Sequence, residues 1–258
     1  MKPLVEQVDC PRISVITPVL NADHTLAECL KSVSEQTYSN LEHIIIDGGS
    51  TDSSLDIIKQ HPEKISYWHS KPDKGISDAF NQGIQQATGD YLYFLGASDT
   101  LYTKEVMASL IQDVPKNTIM ICGRVQRIEE KTGIPLWIAP KKAPKQYNKW
   151  TLLKCLTLPH QGLLMHRNYF EEYGLFDLQW RYAMDYELIL RSFHRFPEVV
   201  FKDIIVANWR AGGIGSHHLS KVLDEYHNMK LKYKIAPVWV LSVINFLIRC
   251  RYALGSNE

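Results

Sequence analysis

Along the first hundred residues, apolar positions switch between a period of two and a period near 3.6. Ile13 to Pro18 (ISVITP) is a short β-branched run ending at a proline and predicts a first strand. Thr25-Leu26-Ala27-Glu28 has the form of a capping box, with the Thr hydroxyl and Glu carboxylate satisfying free backbone N–H groups. Leu26, Cys29, Leu30 and Val33 follow at helical spacing. Leu41 to Asp47 (LEHIIID) predicts a second strand, and its three consecutive isoleucines imply burial on both faces. The turn Gly48-Gly49-Ser50-Thr51-Asp52 then feeds a helix through Leu55, Ile57 and Ile58. Ile65 to His69 reads as a third strand. Ile76, Phe80, Ile84 and Ala87 mark one face of a helix ending at Gly89, and Tyr91 to Leu95 (YLYFL) is a fourth strand. Strand–helix alternation of this kind predicts a parallel α/β sheet with right-handed crossovers.

The second half is less regular. Val125 to Ile138 predicts a hairpin turning at Lys131-Thr132-Gly133, and Pro135, Pro140 and Pro144 with nearby lysines predict an irregular loop near 139–149. Gln161 to Met165 reads as a strand, Asn168 to Tyr173 as a short helix stopped by Gly174, and Asp185 to Phe193 as a helix. No internal repeat or low-complexity tract breaks the chain, so one domain with a C-terminal extension from about Ser220 is expected. In that extension Ser220 to Ile235 is charged and helix-compatible. Pro237 then opens Val238 to Ile248 (VWVLSVINFLI), apolar nearly all round and followed by Arg249 and Arg251. At about 1.5 Å per residue this run is too short to cross a bilayer. Residues 220–258 carry six Lys and Arg against three Asp and Glu, +3, where the whole chain is +1. Two readings stand: an interfacial membrane helix, or a helix packed on the domain or on a second subunit.

Composition narrows the classes. With 258 residues, 45% hydrophobic and 22% charged, the chain is an ordinary globular protein rather than a disordered one. A net charge of +1 argues against a nucleic-acid partner. The five cysteines (Cys10, Cys29, Cys122, Cys155, Cys250) are scattered and form no C-x-x-C pair, so neither a disulfide framework nor a zinc site is expected, and a reducing cytoplasm is. Met1 to Cys10 has no apolar core, so no secretory signal is expected.

In open parallel sheets, ligands bind beyond the carboxyl ends of the strands. Three such ends are polar here: Thr17-Pro18-Val19-Leu20-Asn21, Asp47 to Asp52, and Gly96-Ala97-Ser98-Asp99. A carboxylate at the mouth, Asp99, suits Mg²⁺ or Mn²⁺, which is typically held by one or two carboxylates plus substrate phosphates. Asp47 and Asp99 serve equally well as turn caps on spacing alone. No G-x-G-x-x-G follows the first strand, which disfavours a dinucleotide oxidoreductase. TPVLNADHT is neither glycine-rich nor basic, which disfavours a sugar nucleotidyltransferase.

Taken together, TPVLN, DGGSTD, the stretch Pro72 to Gly83 (PDKGISDAFNQG), ATGDYLYFLGASD and AMDYEL resemble glycosyltransferase family 2 over about residues 12 to 210, nearest to bacterial members of the colanic acid and O-antigen kind. The resemblance implies an inverting transferase with the A-type glycosyltransferase fold, a Rossmann-like, mostly parallel sheet flanked by helices. It implies a transferase domain over 1–219, with a nucleotide-binding half at about 12–123 and an acceptor half at about 124–219, then a helical extension over 220–258. Thr17, Pro18, Asn21, Asp47, Gly49, Ser50 and Asp52 would hold the nucleoside. Asp73, Lys74, Gly75, Asp78 and Asn81 would run beside the nucleotide and sugar, with Ser98 and Arg210 also on the donor. Asp99 would ligate Mg²⁺ or Mn²⁺ on the diphosphate, and Asp185 would be the catalytic base.

Two positions depart from the family's pattern. Gly48 stands where members often carry a second aspartate that contacts the base, and Ser98 stands where the metal motif often carries another aspartate. His160, next to Gln161, is an acceptor-side candidate, and Glu187 an outside one. Arg210-Ala211-Gly212-Gly213-Ile214-Gly215-Ser216-His217-His218 reads as a glycine-rich lid or as a plain loop. The expected activity is transfer of a sugar from a UDP- or GDP-linked donor to a glycan or polyprenyl-diphosphate-linked acceptor in cell-surface polysaccharide synthesis. The expected place is the cytoplasm, on the inner face of the membrane if the last helix meets lipid. A catalytically weak nucleotide-sugar-binding protein is the alternative.

Overall fold

A computed structural model describes residues 10–213 and 218–253. The elements run β1 (Ile13–Val19), α1 (Leu26–Ser34), β2 (Leu41–Asp47), α2 (Ser54–Gln60), β3 (Tyr67–Ser70), α3 (Ile76–Gln86), β4 (Tyr91–Phe94), β5 (Thr100–Leu101), α4 (Val106–Ile111), β6 (Met120–Ile128), β7 (Pro135–Ala139), β8 (Leu163–His166), α5 (Arg167–Tyr173), α6 (Met184–Leu190), β9 (Val199–Arg210), α7 (Leu219–Lys232) and α8 (Val238–Ala253).

The sheet has nine strands in the order β3-β2-β1-β4-β8-β6-β9-β5, with β7 on β6. β3, β2, β1 and β4 are parallel, as the alternating pattern predicts. Beyond β4 the sheet becomes mixed. β8 is antiparallel to β4 and β6, β9 runs parallel to β6, and β5 returns antiparallel on β9.

Successive side chains of a strand leave on opposite faces, so the isoleucine run of β2 feeds two layers. Ile44 and Ile46 join a cluster with Ala79, Phe80 and Ile84 of α3. Ile45 joins Leu26 and Leu30 of α1 and Ile58 of α2. In β1, Ile13 and Val15 pack with Cys29 and Val33 on the α1 and α4 side, while Ile16 lies under α3. There α3 comes so close that a Cβ on Gly83 would stand 2.3 Å from Ile16 Cγ2.

The local predictions mostly hold within a residue or two, with informative exceptions. Thr25 begins α1 but caps it with no side-chain bond, and Glu28 is drawn away to Arg210 (3.1 Å) instead of closing the capping box. β3 begins at Tyr67, because a short 3-10 turn over Pro62–Lys64 places Ile65 before the strand. The hairpin forms, with Gly133 at φ 68, but its first strand starts earlier, at Met120. Gly174, at φ 82, stops α5 as expected. β5, α4 and β9 are elements the pattern did not reveal.

The C-terminal helices are built into the domain. Met229, Ile235 and Leu241 belong to the largest core cluster, and Lys230, almost wholly buried, donates its Nζ to Leu153 O at 2.9 Å. Burial of that ammonium lowers its pKa to about 8.

Candidate active site

The carboxyl ends of β1 and β2 are stitched to each other. Asn21, at φ 50, donates its N–H to Ser50 Oγ at 2.8 Å and accepts from Thr51 N at 2.9 Å. Asp52 accepts from Asp23 N at 3.0 Å. Asp47 is fully buried and collects Gly49 N, Ser50 N, Ser50 Oγ and Ser70 Oγ. Its carboxylate therefore organises the turn, and the geometry supports the turn-cap reading for Asp47. Gly49 sits at φ 89, in left-handed backbone that favours glycine.

Gly48 has a specific neighbour. A Cβ placed there would stand 2.5 Å from Asp73 Oδ2. Asp73 Oδ1 accepts from Gly75 N at 2.7 Å, ahead of α3, so the Asp73 carboxylate lies over the bare glycine. The acid missing at position 48 is thus matched by one arriving from the next strand-to-helix loop. Lys74 N is tied to Asp78 Oδ2 (3.0 Å), and Gly75, at φ 106, opens α3.

Two expected donor-side residues are turned away from this rim. Thr17 is buried within the sheet, its Oγ1 3.0 Å from His43 Nε2. Asn81 spends its amide on the main chain of Phe176, donating to the O and accepting from the N, each at 2.9 Å. Pro18, in register with Ile46, is half-buried at the end of β1.

Asp99 follows β4 by a tight turn in which its N–H donates to Gly96 O at 2.9 Å. It is only 3% exposed. Its carboxylate accepts from Arg210 N at 2.9 Å and more weakly from Gln161 Nε2 at 3.4 Å. Burial raises its pKa from 3.8 to about 7 against the pull of these donors and of the Arg210 charge. The Arg210 guanidinium itself is anchored to Ser98 O, Glu130 O and Glu28. Arg210 therefore closes β9 as a brace behind Asp99, leaving Ser98 exposed at the mouth. Of the lid predicted beyond it, Gly215 and His217 lie outside the described residues, while His218 precedes α7 and packs its ring near Tyr182.

Asp185 lies in the first turn of α6, where Ala183 rather than Asp185 is the N-cap, and Oδ1 accepts from Tyr186 N at 2.8 Å. Burial raises the Asp185 carboxyl, and His160 opposes that rise. His160 stacks on Phe94 (5.4 Å between centroids, 15° between planes) and meets Phe80 and Phe176 edge-on; its buried Nε2 has no partner among the described residues. Burial depresses its pKa, and the Asp185 charge counters that effect. Gln161, the next residue, is the one that reaches Asp99. The short turn His160–Gly162 thus links the two acids, Gln161 bonding Asp99 and His160 interacting electrostatically with Asp185.

From the other side, Ser77 of α3 touches Met184 Sδ (3.1 Å), joining the Asp73 loop to the start of α6. Glu225 of α7 accepts from Arg181, Tyr182 and Ala183 N, each at 2.9 Å, and so caps α6 just ahead of Asp185. Nothing in the charged pattern of α7 singled out Glu225. Glu187 is not in the cleft. It is fully buried, bound by Arg191 at 2.6 Å and by the Tyr233 hydroxyl.

The residues at the mouth fit a divalent ion of a particular kind. No group of three or more His, Cys, Asp and Glu able to cage a metal occurs among the described residues. Asp99 is a buried acid whose direct donors are a main-chain N–H and an amide, and the Arg210 charge does not offset its burial, an environment that an added cation would relieve. Such a donor set suits an ion that completes its shell with substrate oxygens and water.

A family model described as glycosyl transferase family 2 matches residues 14–174. A PGL/p-HBAD biosynthesis glycosyltransferase of Mycobacterium tuberculosis is 30% identical over 239 residues, 90% of each chain. Among solved structures, Staphylococcus aureus TarS 1–349 in complex with UDP aligns over 93% of this chain and 71% of its own, with a TM-score of 0.66 at 16% identity. The mannosyltransferase PcManGT of Pyrobaculum calidifontis, in complex with GDP-Man and Mn²⁺, aligns over 95% of this chain and 76% of its own, with a TM-score of 0.61 at 17% identity.

Proposed function

We propose, from the premise that this chain belongs to glycosyltransferase family 2 and is a glycosyltransferase, that it moves a sugar from a nucleotide-sugar donor to an acceptor hydroxyl with inversion. The observation that supports the reading is the His160–Gly162 turn, in which Gln161 bonds Asp99, an acid suited to a metal, while His160 interacts with Asp185, an acid suited to a proton.

The nucleoside lies along the stitched ends of β1 and β2, with the Asp73 carboxylate over Gly48 facing the base. Asp99 would hold Mg²⁺ or Mn²⁺ together with the donor diphosphate. When bound, that ion supplies Lewis-acid neutralisation of the departing diphosphate. Asp185 takes the proton from the acceptor hydroxyl as its oxygen attacks the anomeric carbon and the bond to the diphosphate breaks. A carboxyl raised by burial is a stronger base than an exposed one, which suits this step. The nucleotide half at about 12–123 then holds the donor and the half at about 124–219 the acceptor, with α7 and α8 fixed against the latter.

The acceptor is a glycan or a polyprenyl-diphosphate-linked sugar of cell-surface polysaccharide synthesis, met at the cytoplasmic face of the membrane. Supporting that location, α8 exposes Val238, Trp239, Val243, Phe246 and Leu247, with Trp239 72% exposed, and ends near Arg249 and Arg251. No helix among the described residues is long and apolar enough to cross a bilayer. An amphiphile of this length lies in the interface rather than through it.

The test is donor hydrolysis by the purified chain across UDP- and GDP-sugars, with and without Mn²⁺, followed by transfer to a lipid-linked acceptor extract. Asp185→Asn retains nucleotide binding and the parent melting temperature, and loses transfer by several orders of magnitude. Near-parental transfer by that variant removes Asp185 from the role. Absence of any donor turnover in the parent chain leaves only the binding-protein alternative.

A further inference from the structure

The sheet half opposite the nucleotide side carries an aromatic corner that the reaction described above does not use. Arg127 on β6, Trp137 on β7 and Trp209 on β9 stand in register across three neighbouring strands. The Arg127 guanidinium lies over the Trp209 ring, 4.1 Å from its centroid, and 5.7 Å from that of Trp137. The two indoles meet edge to face, with centroids 6.0 Å apart and planes at 79°. Trp137 is 47% exposed, and Leu136 and Ile134 beside it are exposed as well.

The corner sits next to the rim. Trp209 immediately precedes Arg210, whose N–H holds Asp99, and Arg127 feels the Asp99 charge. The guanidinium is half-buried, yet no described residue accepts a hydrogen bond from it. Its five N–H donors lie in one plane against the indole, and none meets an acceptor among the described residues.

We propose that Arg127, Trp137 and Trp209 form a subsite for a pyranose ring of the acceptor, which rests its C–H face on Trp137 and accepts hydrogen bonds from Arg127 through its hydroxyl oxygens. An aliphatic chain would match the aromatic surface and leave the guanidinium unmet. A phosphate would match the guanidinium and leave the indole surface bare. A sugar ring has one apolar face and a rim of oxygens, and answers both. The donor nucleoside is placed at the other end of the sheet, on β1, β2 and the Asp73 loop, so a ring on this corner reaches the Asp99 rim from the opposite side. This inference rests on the transferase reading for the identity of the sugar as acceptor, but its test reads binding alone.

The full chain has six tryptophans, and their indole N–H signals in a ¹⁵N-labelled sample report the corner directly once Trp137→Phe and Trp209→Phe have identified the two signals. The sample, with UDP or GDP and diamagnetic Mg²⁺ present, is titrated with methyl glycosides of glucose, galactose, mannose and rhamnose. At least one glycoside is expected to move the Trp137 signal while leaving Trp68 and Trp150 in place, and Arg127→Gln is expected to weaken that response tenfold or more at an unchanged melting temperature. No movement with any glycoside overturns the subsite. So does equal movement with butanol, which makes it an apolar-chain site, or movement with the nucleotide alone, which makes it a diphosphate site. Parent-chain turnover of UDP- or GDP-sugars is measured separately. Failure of the transferase reading shows there, and failure of the subsite shows only in the titration.

Discussion

Replacing Asp99 by asparagine should stabilise the metal-free chain while abolishing its activity. The folded chain holds the Asp99 proton up to about pH 7, whereas the unfolded chain releases it near the ordinary aspartate value of 3.8. Between those two values the folded state binds more protons than the unfolded state, so stability falls as pH rises, and the cost is fully expressed above pH 7. Each tenfold change in proton affinity is about 1.4 kcal/mol, so the buried charge costs about 4 kcal/mol at pH 8 and about 1.5 kcal/mol at pH 5. Asparagine carries no charge and retains an oxygen for the Arg210 N–H. Asp99→Asn should therefore melt higher than the parent at both pH values, with a margin that widens from pH 5 to pH 8 by about 2–3 kcal/mol, or roughly 4–12 °C for a domain of this size.

The assay is a thermal melt in chelator-treated buffer at pH 5, 6, 7 and 8, repeated with Mn²⁺ and nucleoside diphosphate. Bound ion should raise the parent's melting point most at pH 8, where Asp99 is ionised, and should leave Asp99→Asn unmoved. A variant that melts at or below the parent at pH 8, or a margin that does not grow with pH, would refute the argument that the site stores an uncompensated charge.

Three further outcomes follow from particular contacts. Gly48→Ala should push the Asp73 carboxylate aside, weakening nucleotide binding about tenfold, or 1.4 kcal/mol, by calorimetry, with a change in stability within about 1 kcal/mol; an unchanged Kd would separate Asp73 from the base. Glu187→Ala should cost about 3–5 kcal/mol in urea unfolding, because it leaves Arg191 buried without its charge partner; a loss of activity at parental stability would return Glu187 to the cleft. Trp239→Glu with Phe246→Glu should remove about 3 kcal/mol or more of interfacial burial, a drop of over a hundredfold in partitioning to anionic vesicles by flotation; undiminished flotation would show that α8 faces something other than lipid.

The N-terminal half was legible because its signals are local. The isoleucines of β2 announce a strand covered on both faces, and the spacing of Ile76, Phe80 and Ile84 announces one buried helix face, whatever the rest of the chain does. The acids at the rim were singled out by their place after predicted strands and by the family resemblance. What escaped depends on partners far away in sequence. Glu28 looks like the end of a capping box until Arg210, 182 residues on, takes its carboxylate. β9 carries Lys202 and Asp203 inside a strand whose faces are only half covered, so it shows neither alternation nor a continuous apolar run. Gly48 could not disclose that Asp73 would lie over it, and Glu225 resembles any solvated glutamate of a charged helix until three backbone N–H groups turn toward it.

The bond from Glu225 to the start of α6 also sets an order of events during synthesis. Domains are made from the N-terminus at several residues per second and can begin to fold before release. The strands and helices from β1 to β6 are complete once about 130 residues are out, and nothing later bonds the β1 and β2 turns. The segment that presents Asp185 is different: its three leading N–H groups have no acceptor until the ribosome has passed position 225. On the proposed assignment, a nascent chain halted between those points would hold the donor side without an ordered base, so ribosome-stalled intermediates should bind nucleotide well before they can glycosylate anything.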